Sequence, residues 1–504
     1  MATPTPLSPA AAPAAAATVR ARSALAALGD SAVGALHRRV LLTVSAMFLF
    51  DLADLNTFAY AAPVLRDRHG FTVDDVALVT ATGFGGMAIG SVIGGRLADR
   101  IGRRAGMTVS VLLFSLASLV NALVSAPGEM AVTRSLTGCG LGAMTAIAIS
   151  YLSEVTPTRQ RGRFQAVALG VGLIGIPIVA FGARAVTVDT PGSWRWLFVF
   201  GALGFLLLPF LWRLPESPRW LLARGRAEEA VEVVRRFAPS AVAADTAVDT
   251  AADIAADHGP DRGTGTGTGT AGDSAPGTGS DVVAGTAESA PAEAVPPPKA
   301  AFGELFRAGQ LRNTLVIMVL WAFALTGFYG FQSWVPTLLV DHGHDFAKSM
   351  TMSAVTTIGA VPGAFLAAPF IDRFQRKHLA VVLGLIITAL GIGYGLSGGA
   401  AAIMVFGVLV SALSQCFIAV LYSYTPEYFP TRLRTAGSGL ANGTGRAANV
   451  AAPFLIAAVY TAPGLGYVAV FGFVAGVWLV AALVVALLGL RTRGSSLEEL
   501  HGES

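Results

Sequence analysis

Charge is what this chain has least of. Asp, Glu, Lys and Arg make up 13% of its 504 residues, against roughly 25% in a soluble domain, while 54% are hydrophobic. A chain this apolar is solvated by lipid over most of its length. Cysteine is nearly absent. Cys139 and Cys416 both sit inside apolar runs, with no neighbour at metal-ligand spacing. That argues against a disulfide framework or a zinc site and leaves two small core residues. No Walker motif is present, so ATP does not drive this protein. There is no basic domain or stripe of the kind nucleic acid requires, and the net charge of +4 reads as loop arginine placed by the positive-inside rule. No constellation of nucleophile and base suggests an enzyme, and no cofactor is expected. Residues 1–38 lack a basic n-region before an apolar stretch, so they read as a disordered Ala/Pro-rich cytoplasmic tail, with a short helix around 20–36, rather than a signal peptide.

What is present in quantity is long apolar runs. About twenty such residues span a bilayer core as a helix. Runs of that kind lie near 41–65, 76–98, 106–125, 130–153, 164–186, 195–213, 312–340, 349–371, 379–397, 400–424, 437–460 and 466–490. The fold class expected is an all-α membrane protein of twelve transmembrane helices. Alternate loops are rich in arginine: Arg96, Arg100, Arg103 and Arg104; Arg159, Arg161 and Arg163; Arg373, Arg376 and Lys377; Arg432 and Arg434. The intervening loops hold only Arg66 and Arg68, Arg195, and Lys348. With the arginine-rich loops inside, both termini are cytoplasmic and the protein is a multi-pass inner (plasma) membrane protein.

The stretch 214–311 interrupts the pattern. It opens PESPRWLLARGRAEEAVEVVRRF, an amphipathic helix, and runs into Ala/Gly/Thr/Pro repeats whose composition cannot order itself. It divides the chain into an N-terminal bundle over 39–213 and a C-terminal bundle over 312–490, followed by a tail over 491–504. The bundles are repeats. Asp99 and Asp372, Glu154 and Glu427, and Pro63 and Pro336 are all separated by one and the same interval. Each Glu is followed by Pro at +3 and Arg at +5 and +7. Parallel repeats joined by a long loop are a transporter architecture.

These strings resemble the major facilitator superfamily over essentially the whole membrane region. GRLADRIGRR (Gly95 to Arg104) is similar to that family's loop 2–3 motif, and IDRFQRK is its weaker copy. RSLTGCGLGAMTAIAISYLSEVTPTRQRGR looks like the fourth helix and loop 4–5, and PESPRWL looks like the end of helix six in the sugar-porter-like branch. The first-helix string FDLADLNTFAYAAPVL, with GFQSWVPTLL and GLANGTGRAANVAAP, resembles the aromatic acid:proton symporters and nicotinate-type transporters. True sugar porters differ at helices seven and ten, the latter reading VLYSYTPE here. The resemblance implies two pseudo-symmetric six-helix bundles and alternating access in a monomer. It also implies a cytoplasmic latch formed by Gly95, Asp99, Arg100, Gly102, Arg103, Arg104, Glu154, Arg159, Arg161, Asp372, Arg373, Glu427, Arg432 and Arg434. Within it, Glu154 is expected to work with Arg159 and Arg161, and Glu427 with Arg432 and Arg434.

Asp51 and Asp54 are the leading candidates for proton coupling. A carboxylate near the bilayer centre costs about 2.5–3.5 kcal/mol on insertion scales. Three residues apart, the two share a helix face at about 5–6 Å, where burial and mutual repulsion disfavour both being charged at once. The other reading is that Asp51 merely pairs with an Arg. Asp54, one turn deeper, is the first candidate. Arg446 reads as the only unambiguous cation inside a helix. With Asn442 and Asn449 it forms one face of helix eleven. It either clamps a substrate carboxylate through its planar fork or ties helices together, and both readings stand. Tyr329 and Gln332 in helix seven and Gln415 and Tyr422 in helix ten are further substrate-binding candidates, with Tyr60 and Trp334 as cavity or packing residues and Trp334 near the outer rim. Glycines 170, 172 and 175, and 439, 443 and 445, read as packing seams. His342 and His344, beside Asp341 and Asp345, are a weak metal signal, and no metal is expected.

The function expected is proton-coupled symport of a small organic anion, an aromatic or other carboxylate metabolite. Alternatives are a sugar or polyol porter, a drug exporter of the same fold, or a non-transporting membrane sensor.

Overall fold

The computed structural model describes residues 11–187, 193–239, 302–343, 345–371, 373–430 and 433–490. The centre of the 214–311 tether, the 491–504 tail, and Asp372, Arg432 and His344 lie outside the described residues. Helix is the only regular structure among those described.

Among the described residues, eleven helical stretches are long and apolar enough to cross a membrane. The first span is Ala35–His69 and the second Val73–Ile101. The third is Arg103–Asn121, the fourth Pro127–Val155, the fifth Thr158–Val186 and the sixth Arg195–Trp212. In the second half come Ala308–Asp341 (seventh), Phe346–Leu366 (eighth), Arg376–Leu396 (ninth), Ala400–Tyr424 (tenth) and Gly466–Leu488 (twelfth). The eleventh, Arg434–Thr461, carries Asn442, Arg446, Asn449 and several glycines, which keep it below the hydropathy of the rest. The first span outruns the apolar string 41–65 at both ends, because hydropathy marks the hydrocarbon core while the helix continues into the polar interface.

Local chemistry sets the boundaries. The first span stops at Gly70, whose φ of +69° places its N–H on the Leu65 carbonyl. Thr72 then caps the second span by accepting from the Asp75 N–H, and the Asp75 carboxylate accepts from the Thr72 N–H. Pro127 opens the fourth span at a position where its missing N–H costs nothing.

The internal repeat is visible in packing. In the first half the second and fourth spans touch backbone to backbone: a Cβ at Gly86 or Gly90 would overlap the carbonyl of Ser135 or Cys139. In the second half Gly359 meets Val408 and Gly363 meets Ala412 in the same way, all four at the interval that separates Asp99 from Asp372. This seam is tighter than those expected in spans five and eleven. Gly172 and Gly175 do press on Phe48, Leu49 and Ala53 of the first span, and Gly445 presses on Trp321, but Gly439 and Gly443 face open space.

The arginine-rich end repeats as well. Arg103 pairs with Glu154 at 3.1 Å, and Arg376 pairs with Glu427 at 2.5 Å. Both partners of the second pair stand at that same interval from those of the first.

Residues 11–30 are helical, where the sequence suggests a disordered tail with a short helix at 20–36. Alanine-rich sequence favours helix, and Ala21, Ala24 and Leu28 at i, i+3 and i+7 bury on the amphipathic helix Ala227–Phe237. The leading helix thus braces the first half.

Candidate functional site

The two halves meet along the first, second and fifth spans of one and the seventh, eighth and eleventh of the other, and the charged groups lie in or beside the middle of this interface. Asp54 is fully buried. Its Oδ1 accepts from Ser118 of the third span at 2.6 Å, and its Oδ2 accepts from Arg134 Nη1 of the fourth span at 3.1 Å. The other end of the Arg134 fork donates to the Asp54 and Leu55 carbonyls, and the guanidinium lies over the Phe198 ring of the sixth span. Asp54 is therefore a closed, fully paired centre joining four spans.

Asp51, one turn away, is different. It is 4% exposed. Thr145 of the fourth span donates to its Oδ2 at 2.8 Å, while Oδ1 is buried with no hydrogen-bond partner. It feels the charges of Arg446 and Asp54. A buried carboxylate with one idle oxygen carries a desolvation cost that a proton or a cation would remove.

Arg446 lines a narrow crevice with Asn442, Asn449, Tyr422, Tyr329, Leu325, Phe84 and Met87. Its Nε donates to Asn442 Oδ1 at 3.1 Å, and the Asn442 amide donates to Tyr422 at 3.1 Å, which fixes the plane of the fork. Tyr422 lies two residues from the end of its helix and is 49% exposed, so the crevice opens toward the arginine-rich end. Phe84 and Tyr329 stand edge to face at 5.2 Å across the interface. Beyond them lie two smaller voids, one reaching Trp334 and Asn449, the other reaching Arg134, Thr80 and Ser333. Trp334 is thus buried beside the first of these voids, toward the Asp341 end of its span.

The opposite end is shut. Arg66 of the first span forms an ion pair with Asp341 at the end of the seventh. Tyr460 of the eleventh donates to the same carboxylate at 2.8 Å, and Arg184 of the fifth span donates to Thr351 of the eighth at 2.9 Å. His342 stacks on Tyr467 at 4.0 Å.

Of the other binding candidates, Gln332 and Gln415 are buried, each with one amide atom lacking a partner, and neither borders these voids. Tyr60 is buried in the core.

The loop 2–3 group assembles around a residue the sequence reading passes over. Glu216, from PESPRWL, accepts from the N–H groups of Arg103 (2.8 Å) and Arg104 (3.2 Å), capping the third span. Gly102 has φ of +101° at the contact, where a side chain would strike the Glu216 carboxylate. Trp220 and Arg224 donate to the last carbonyls of the second span, on Asp99 and Arg100. Asp99 pairs with Arg103 at 3.0 Å. Glu154 is held by Arg103 and Ser217, not by the arginines that follow it: Arg161 donates to the Thr156 carbonyl and Arg159 is exposed. Chain direction turns Arg159 and Arg161 away, while helix packing brings Arg103 across. Gly95 meets open space, and its neighbour Gly94 makes the close contact, on Ala143. Arg373 is exposed and Arg434 begins the eleventh span.

Arg134 corrects the reading of Arg446 as the only cation within a helix. The signal was available: an arginine in the interior of a span whose other charges, Glu129 and Glu154, lie near its ends. Replacing it leaves Asp54 buried and unpaired, at about 3–5 kcal/mol. Arg134→Gln is therefore expected to unfold at clearly lower temperature in detergent, with part of the loss recovered in the double variant Arg134→Gln/Asp54→Asn. An Arg134→Gln protein as stable as the parent would refute the pair's structural weight.

Residues 43–361 and 345–504 match the sequence model of the Major Facilitator Superfamily. The chain is 33% identical over 473 residues to a Bacillus subtilis protein named for metabolite transport, YyaJ, covering 92% of this chain and 95% of that one. It is 27% identical to the niacin transporter NiaP of Acinetobacter baylyi, with 93% and 97% covered. Among solved structures it is similar to the xylose transporter XylE from E. coli in a partially occluded inward open conformation. That match has a TM-score of 0.69 at 15% identity and covers 92% of this chain and 100% of the other.

Proposed function

The chain belongs to the major facilitator superfamily and is a transporter rather than an enzyme, and from that premise we propose that it imports a small aromatic or heteroaromatic carboxylate together with protons. The observation that carries this is Asp51: a buried carboxylate with one idle oxygen, within electrostatic reach of an arginine that lines the crevice between the halves. While Asp51 is charged, it compensates Arg446. Once Asp51 holds a proton, Arg446 is left without a counter-charge, and its Nη groups can take a substrate carboxylate through the fork. Phe84, Tyr329 and Leu325 supply apolar walls suited to a ring. The cargo in the name of the Acinetobacter relative, niacin, is a pyridine carboxylate, which supports the ring and the acid together. The likeness to a xylose porter bears on fold alone.

On the positive-inside rule the arginine-rich end is cytoplasmic. The crevice then faces inward, and the Arg66–Asp341–Tyr460 contact is the shut outer door. The weight within the acidic pair moves from Asp54, whose two oxygens are taken, to Asp51.

The test is uptake of labelled nicotinate and 4-hydroxybenzoate by proteoliposomes with an alkaline lumen, counted above protein-free vesicles. Proton-driven accumulation of either is expected. Accumulation of xylose with neither acid carried would overturn the assignment.

A further inference from the structure

Among the described residues, four formal charges sit at the level of the crevice: Asp51, Asp54, Arg134 and Arg446. The other charges on the spans that surround them lie toward helix ends. They are Arg38, Arg39, Arg66, Asp67 and Arg68 on the first, Asp74, Asp75, Arg96, Asp99 and Arg100 on the second, Arg103 and Arg104 on the third, and Glu129 and Glu154 on the fourth. Arg159, Arg161, Arg163 and Arg184 on the fifth, Arg195 on the sixth, Arg312 and Asp341 on the seventh, and Arg434 on the eleventh complete the set among the described residues. Tyr329 and Tyr422, which border the crevice with Arg446, are phenols and add no formal charge. The empty centre therefore holds two positive and two negative charges and is neutral.

Neutrality matters because the substrate must pass through a state closed at both ends. Water is then excluded, and an uncompensated charge at mid-membrane is strongly penalised. A neutral empty centre returns across the membrane without that penalty. Adding one carboxylate leaves a net −1, and one proton on Asp51 restores zero. Adding a dicarboxylate leaves −2, which one proton cannot cancel.

We propose that the four-charge centre restricts the cargo to monoanions, each carried with one proton, so that transport moves no net charge. This rests on the proton-coupled carboxylate reading above. It adds that the charge tally of Asp51, Asp54, Arg134 and Arg446, and not the shape of the crevice, sets stoichiometry and excludes dianions.

The experiment uses the purified full chain in proteoliposomes with potassium and valinomycin fixing the membrane potential, with 4-hydroxybenzoate and nicotinate as probes and terephthalate as the dianion. At zero potential, accumulation of the monoanions is expected to follow the pH gradient, about tenfold per unit. Imposing about 100 mV, inside negative, is expected to leave that ratio unchanged, whereas a carrier moving one net positive charge would gain about fiftyfold at that potential. Terephthalate is expected neither to accumulate nor to compete. Potential-sensitive accumulation of the monoanions, or terephthalate uptake matching theirs, overturns the neutral-centre proposal while leaving the carboxylate reading intact. Absence of pH-driven accumulation of either monoanion overturns the carboxylate reading and this proposal with it.

Discussion

Asp51→Asn is expected to abolish pH-driven accumulation of a carboxylate while sparing exchange of internal for external substrate. The amide is nearly isosteric with a protonated carboxyl, and Thr145 can still donate to its oxygen. Arg446 is then permanently without its counter-charge, so the variant resembles the loaded, protonated carrier. It binds cargo and moves it in both directions, but it cannot release a proton and return empty at neutral charge. Counterflow should continue at a rate comparable to the parent, while the final accumulation ratio falls to one whatever the pH gradient. The measurement is paired: uptake under a pH gradient, and efflux of preloaded label into excess cold substrate. A variant that still concentrates cargo under a pH gradient removes Asp51 from the coupling step. The same substitution at Asp54 reads differently, because it strands Arg134 in a buried network. Its first effect should be on stability.

Arg446→Gln is expected to weaken substrate binding by about ten- to a hundredfold, the equivalent of losing charge-assisted hydrogen bonds worth about 1.5–3 kcal/mol. The change should appear in KM, and in the maximal rate of uphill transport as well, because the empty centre is then left with one uncompensated negative charge. Arg446→Lys should recover only part of the affinity: an ammonium supplies charge but not the planar pair of donors. Asn442→Ala should act in the same direction but more weakly, since it removes the contact that sets the plane of the guanidinium. An unchanged KM in Arg446→Gln, with the protein folded, would leave the residue as a tie between spans.

The architecture was legible because lipid imposes a simple code. Each crossing needs a long apolar run, and each arginine cluster marks one face, so span count and handedness of insertion can be read along the string. The constant interval between matching residues, such as Asp99 with Asp372 and Glu154 with Glu427, exposed the duplication. The paired glycine seams show why it persists, since both halves solve one packing problem. Pairing between distant groups was not legible in this way. Asp54 and Arg134 are 80 residues apart, Glu216 lies 113 residues from the N–H it caps, and Arg66 is 275 from Asp341. Nothing in local pattern selects such partners. The arginines written next to Glu154 were the natural guess, yet the fold delivers Arg103 instead. Asp51 and Asp54 look equivalent in a string and differ only in what the third, fourth and eleventh spans bring to them.

The glycine seams carry a mechanical consequence. Where Gly86 and Gly90 lie on Ser135 and Cys139, and Gly359 and Gly363 on Val408 and Ala412, main chain rests on main chain with no side-chain cushion between. Such joints cannot shear by letting a rotamer yield. Each behaves as a welded corner, and strain applied to one helix passes undiminished to its neighbour. Compliance must then reside where clearance exists, and the eleventh helix has it at Gly439 and Gly443. A bulky residue placed at Gly439 or Gly443 should therefore hinder the stroke without loosening either welded block.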